Sequence, residues 1–72
     1  MNKGMPCKYV RFHHPVPRWE NDEPVSEFRL EGKQAKYLVD SIEFTKDGVI
    51  ATAAEYQTLI PLANVIYVRP KD

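Results

Sequence analysis

The sequence predicts a small, mainly β domain built on an antiparallel sheet of four to five short strands. Three observations carry that expectation. Four β-prone runs, at residues 37–44, 49–54, 56–60 and 65–69, are separated by turn signals. The first run alternates, with Leu38, Ile42 and Phe44 on one face and Val39, Ser41 and Glu43 on the other, the period-2 signature of a half-buried strand. The chain has 72 residues and one cysteine, which limits it to one domain without an internal disulfide.

From the N-terminus, Pro6, Pro15, Pro17 and Pro24 fall within the first 24 residues. Proline fixes φ, removes a backbone donor and biases its predecessor to extended geometry, so no helix crosses this stretch. Residues 14–17 read as extended, close to polyproline II. Residues 8–13 alternate, placing Tyr9, Arg11 and His13 on one face and Lys8, Val10 and Phe12 on the other. They read either as an edge strand completing the later sheet or as a segment ordered only on binding. Residues 15–26 read as a loop, since from Arg18 to Ser26 few apolar groups oppose the entropy of ordering. Phe28, Arg29 and Leu30 suit a strand ending at Gly32. A short helix over 27–37 is the alternative, but Gly32 would cost it about 1 kcal/mol relative to alanine.

Lys46-Asp47-Gly48 is a hairpin signal, glycine supplying the positive φ of a tight turn. A second turn at Ala54-Glu55 returns the chain as residues 56–60, and Pro61, unable to donate to a ladder, stops that strand. Residues 61–64 suit one 3₁₀ turn before the last strand, which Pro70 ends. The expected organisation is a single domain over 1–72, with a polar segment over 1–34 and a β-sheet core over 35–72. Deleting residues 1–20 is then expected to leave the sheet folded.

The closing run Leu-Ile-Pro-Leu-Ala-Asn-Val-Ile-Tyr-Val, residues 59–68, resembles the closure of SH3-like barrels, in which a proline-containing 3₁₀ turn joins the last two strands. The resemblance covers about half the chain and implies a partly open barrel. It implies no one function, because such barrels bind peptides, RNA and other proteins.

Ten basic residues balance ten acidic ones, which argues against a dedicated binder of phosphate backbones. The charges are nevertheless sorted. Residues 1–19 hold Lys3, Lys8, Arg11 and Arg18 with no acid, and residues 20–31 hold five acids against Arg29. No run approaches a membrane span, and the N-terminus lacks a signal-peptide core. With a single cysteine, a reducing cytoplasmic setting is expected.

Catalytic and metal chemistry find little support. Cys7, His13 and His14 offer three ligands where zinc takes four, and adjacent strand residues point to opposite faces. The same three lack an orienting group or oxyanion hole for nucleophilic catalysis. Gly4, Gly32 and Gly48 are scattered and form no phosphate loop. Asp40 and Asp47 read as strand and turn polarity. No enzyme activity, cofactor or metal is therefore expected.

Binding chemistry is better represented. Lys8, Tyr9, Arg11, Phe12, His14, Arg18 and Trp19 form a basic-aromatic stretch. Tyrosine, tryptophan and arginine concentrate binding energy in protein interfaces. The same types also stack on bases and track phosphates, which keeps RNA or DNA binding as the alternative. Trp19 reads either as an anchor for a partner or as a lid over the sheet. The exposed face of the sheet is the other possible contact surface; Tyr37, Tyr56 and Tyr67 lie on its strands and read mainly as the rim of the core.

Residues 5–14, Met-Pro-Cys-Lys-Tyr-Val-Arg-Phe-His-His, together with the closing run 59–68, are similar to small phage-encoded transcription regulators that bind host bacterial RNA polymerase. The resemblance implies binding to polymerase subunits, interference with promoter recognition by sigma factor, and antitermination, in the host cytoplasm. The expectation is a monomeric regulator whose seven basic-aromatic candidates dock a larger protein.

Overall fold

A computed structural model describes residues 4–72. Six strands run in the order β1 (Met5–Pro17), β2 (Pro24–Arg29), β3 (Ser41–Thr45), β4 (Gly48–Ala53), β5 (Tyr56–Pro61) and β6 (Val65–Pro70). One 3₁₀ turn, Ala35–Tyr37, precedes β3, and a second, Leu62–Asn64, joins β5 to β6. All strand pairings are antiparallel, and the sheet curls into a half-barrel. The fold class is therefore mainly β, and the proline-led 3₁₀ turn stands where the closing run placed it.

β1 organises the sheet. Its first residues pair with β3, from Met5 opposite Phe44 to Cys7 opposite Ile42. Its later residues pair with β2, and its other edge carries β6. Residues 8–13 thus belong to a central strand rather than an edge strand. The strand extends through the prolines because Pro15 and Pro17 flank Val16, which pairs with Val25 across an irregular register. The expected loop over 15–26 contracts accordingly to residues 18–23, with β2 beginning at Pro24.

Alternation within β1 is broken once, with consequences for both faces. The register with β6 shifts between Cys7 and Tyr9, a β-bulge at Lys8. Cys7 and Val10, three residues apart, therefore both face inward, and Lys8 is released to solvent. A second shift, between Arg11 and Phe12 on β1, does the same for β6. Val65 and Val68 turn inward there while Ile66 and Tyr67 both face out.

The core joins both halves of the chain. Of its ten buried hydrophobic residues, five come from residues 1–34: Cys7, Val10, Phe12, Val25 and Phe28. The other five are Val39, Ile42, Val49, Ala51 and Ile60. The polar segment and the sheet core are one packed unit, so the expectation that the sheet survives deletion of residues 1–20 is withdrawn. The radius of gyration, 11.1 Å, matches the value of about 11 Å for a close-packed domain of this length. Lys3, counted in the basic stretch, lies outside the described residues.

The expected strand over 37–44 starts only at Ser41. Ahead of it, Leu38 makes a single parallel bridge to Arg29, and Val39 donates its N–H to the Arg29 carbonyl at 3.0 Å. Those bonds turn the chain, which is why Val39 is buried although strand alternation placed it opposite Ile42. Gly48 closes the β3–β4 hairpin with φ 144°, and a Cβ there would collide with the Ile60 carbonyl oxygen.

Candidate interaction surface

The seven candidates separate into four locations. Phe12 is a core residue, 2 % exposed, with its ring 5.6 Å from that of Phe28. It cannot touch a partner without unfolding the sheet, and it leaves the set of docking residues. Arg18 is also buried. Its Nη1 donates to the Lys36 carbonyl at 2.6 Å, its Nη2 lies 3.7 Å from Glu20, and its guanidinium covers the Trp19 ring at 4.2 Å. The backbone adds to this lock, because Arg18 N–H donates to the Glu23 carbonyl and Asp22 N–H donates to that of Arg18. Arg18 therefore fastens residues 18–23 to the first 3₁₀ turn and has no hand free for a partner.

Trp19 is half-buried. Its ring stacks on Tyr56 at 6.0 Å and 16° and lies 6.1 Å from Phe28. This is the lid arrangement, with the indole covering the core from the turn. His14 sits on β1 beside the second 3₁₀ turn. Its backbone N–H donates to Asn64 Oδ1 at 2.8 Å, and its carbonyl accepts from Asn64 Nδ2 at 3.1 Å. The imidazole itself is exposed.

Lys8, Tyr9 and Arg11 lie together on the outer face of β2, β1 and β6. Register fixes that face as a grid of six side chains. Across one row Arg29 stands opposite Tyr9, and Tyr9 opposite Arg69. Across the next, Glu27 stands opposite Arg11, and Arg11 opposite Tyr67. The residues between the rows, Val10 and Phe28, point into the core, which is how strand alternation separates an interior from a charged exterior. Sequence reading missed Arg29 and Arg69 and left Tyr67 between the rim of the core and an exposed contact face, the second of which is where it lies. The signal was their outward parity beside the inward Phe28 and Val68.

Two guanidinium groups flank one ring. Arg29 lies 5.3 Å and Arg69 5.9 Å from the centroid of Tyr9, and Tyr67 packs beside it at 5.7 Å. Such contacts contribute about 0.5–1 kcal/mol each at exposed sites, enough to orient the side chains. The Tyr9 hydroxyl donates to Glu27 Oε1 at 3.1 Å, and Glu27 Oε2 accepts from Arg29 Nη2. Burial, reinforced by the bond to Glu27, raises the Tyr9 phenol above its ordinary value. The bond to Glu27 likewise raises Arg29. Arg29 Nε is enclosed without a hydrogen-bond partner.

At the Tyr9 end the grid opens into a groove of about 570 Å³. Lys8, Arg29, Arg69 and Lys71 supply four cations to its walls, against Glu31 and Asp72. Lys8 Nζ stands 3.7 Å from Asp72, whose side chain is 97 % exposed. Among the described residues, Arg11, Arg69 and Lys71 make no salt bridge.

Cys7 is buried, and burial raises its thiol above the ordinary 9.0. Among the described residues, no group of three His, Cys, Asp or Glu side chains is placed to hold a metal ion, and no helix is long and apolar enough to cross a membrane. In comparisons with known proteins the chain matches no family model, no curated protein and no solved structure.

Proposed function

We propose that this protein is a non-enzymatic regulator that acts by binding a larger protein through the outer face of β2, β1 and β6. Bacterial RNA polymerase is the partner that the sequence resemblance implies, with inhibition of initiation and antitermination as the outcomes. The observation that supports a docking role is the grid itself. Two tyrosines and three arginines are displayed on one sheet face, and contacts among Tyr9, Tyr67, Arg29 and Arg69 orient those four before any partner arrives. Preorganised Tyr and Arg side chains lose little further entropy on binding, which is how a small surface gains affinity.

The same grid favours a second reading, an RNA- or DNA-binding domain, because aromatic rings among cations form a stacking platform. Salt distinguishes the two. Single-strand affinity falls with log salt at about 0.7 per neutralised phosphate, whereas a tyrosine-centred protein interface depends less on salt.

The test is direct binding of the labelled protein to purified bacterial RNA polymerase by fluorescence anisotropy, with Arg11→Glu and Tyr67→Ala as variants. Both residues are exposed, so the fold is retained. Saturable binding that weakens at least tenfold in each variant is expected. Undiminished binding in both would remove this face from the interface. No binding by the wild-type protein would remove the polymerase reading.

A further inference from the structure

We infer that the groove at the Tyr9 end of the grid is a carboxylate seat, and that its occupant is an extended acidic segment of a protein partner. This inference rests on the docking reading above and names the chemistry of the segment that is bound.

Charge on this face is not distributed as in the chain. The whole sequence sums to zero, yet the groove carries four cations against two carboxylates. Arg29 and Arg69 approach one ring from neighbouring strands, both held by that ring. Arg69 has no anionic partner among the described residues, whereas Arg29 already holds Glu27. The Arg69 guanidinium, placed on the ring and without an anion, offers its forked donors to a planar carboxylate, the geometry in which arginine exceeds lysine.

The molecule already places its own carboxylates in such positions. Glu27 accepts from Tyr9 and Arg29 on the face, and Asp72 reaches Lys8 in the groove. Both partners of the Lys8–Asp72 pair are exposed, Asp72 almost wholly, so the pair contributes little and is readily displaced. Asp72 is therefore an internal competitor standing where a ligand carboxylate would sit. These same acids disfavour a nucleic acid. A strand carries charge at every nucleotide and would meet Glu31 and Asp72 at the walls, whereas a peptide can place carboxylates only where the cations are. An extended peptide does so naturally, since alternate side chains project to one side.

The experiment is a ¹⁵N heteronuclear NMR titration of the full chain with a capped octapeptide of alternating glutamate and serine. The lysine counterpart and an eight-nucleotide thymidine strand are run in the same buffer. Saturable shifts confined to Lys8, Tyr9, Arg29 and Arg69 are expected with the glutamate peptide and not with the lysine peptide. Arg69→Glu, a substitution at an exposed position, should weaken binding at least tenfold. Asp72→Ala should strengthen it severalfold, a gain that a damaged fold cannot give. Absence of shifts at millimolar peptide, an unchanged affinity in Arg69→Glu, or tighter binding of the thymidine strand would each overturn the inference. Because the titration contains no polymerase, the two readings fail separately. Polymerase binding without peptide binding refutes only the carboxylate seat, and the reverse result refutes only the polymerase reading.

Discussion

Replacing Phe12 with alanine tests whether the N-terminal strand is the centre of the domain. Phe12 is 2 % exposed and its ring meets Phe28 at 5.6 Å. Truncating a buried phenylalanine costs about 3–5 kcal/mol, of which the aromatic pair accounts for roughly 0.5–1.5 kcal/mol. A domain of this length has a total stability of about 4–11 kcal/mol, so Phe12→Ala should bring the protein close to unfolding. Arg11→Ala, one residue earlier and facing solvent, should change stability by no more than about 0.5 kcal/mol. Urea titration followed by Trp19 fluorescence reads both, since the indole lies 6.1 Å from Phe28 and reports on the core. The contrast between neighbours is decisive because it depends on which face of β1 is buried. A loss below about 1 kcal/mol for Phe12→Ala, or comparable losses at both positions, would show that residues 8–13 are not locked into the sheet. By the same reasoning a chain lacking residues 4–20 loses Cys7, Val10 and Phe12 and should be unfolded by circular dichroism.

Gly48→Ala should cost about 2 kcal/mol or more in the same urea assay, because φ 144° strains any L side chain and the new methyl meets the Ile60 carbonyl. Ala54→Gly should do the opposite. Ala54 opens the two-residue β4–β5 loop with φ 54°, where a type II′ turn favours glycine, and relief of that strain less the added chain entropy leaves a gain of about 0.5–1 kcal/mol. Stability should also fall in alkali. Burial raises the Cys7 thiol from 9.0, and burial with the Glu27 hydrogen bond raises the Tyr9 phenol from 10.0. Each neutral form is favoured by folding, so its contribution is complete below the ordinary value and is lost as pH rises through the higher folded one. The urea midpoint should hold up to about pH 9 and then decline. Cys7→Ser with Tyr9→Phe should flatten that decline, and an equally steep fall in the double variant would assign it elsewhere.

Most strands were legible because their signals are local. The Lys46-Asp47-Gly48 turn, the break at Pro61 and the 3₁₀ turn at Leu62–Asn64 each depend on residues within one hairpin or connection. β1 was harder, since proline density suppressed the prediction at the very residues that join β1 to β2. Only the partner strand shows that Val16 and Pro17 lie opposite Val25 and Pro24. The start of β3 was misplaced for a related reason. Residues 37–40 alternate as a strand would, but the bridge between Arg29 and Leu38 captures them first. Trp19 carried both of its readings until the Tyr56 stack was known, because that contact crosses from the first turn to the fifth strand.

The proposed binding face was the least legible part, and the cause is geometric. A contiguous stretch such as residues 8–19 is sorted by a sheet into opposite faces, so a linear cluster of aromatic and basic residues cannot act as one surface. Phe12 went to the core and Arg18 to a structural bond, while Arg29 and Arg69 arrived from distant parts of the chain. The charge balance misled in the same way. Neutrality is a sum over sequence, whereas a partner meets a sum over one face. Three of the five acids of residues 20–31 are taken up by the Arg18 turn, the Lys36 contact and the Tyr9–Arg29 pair, and Glu31 lies in the groove wall. Arg11, Arg69 and Lys71 are left on the outer face without an ion pair among the described residues, so a chain of zero net charge presents a basic groove. The imbalance is therefore one of placement and not of number: cations without an ion pair gather at one groove, and the acidic segment inferred above is the ligand that this local excess selects.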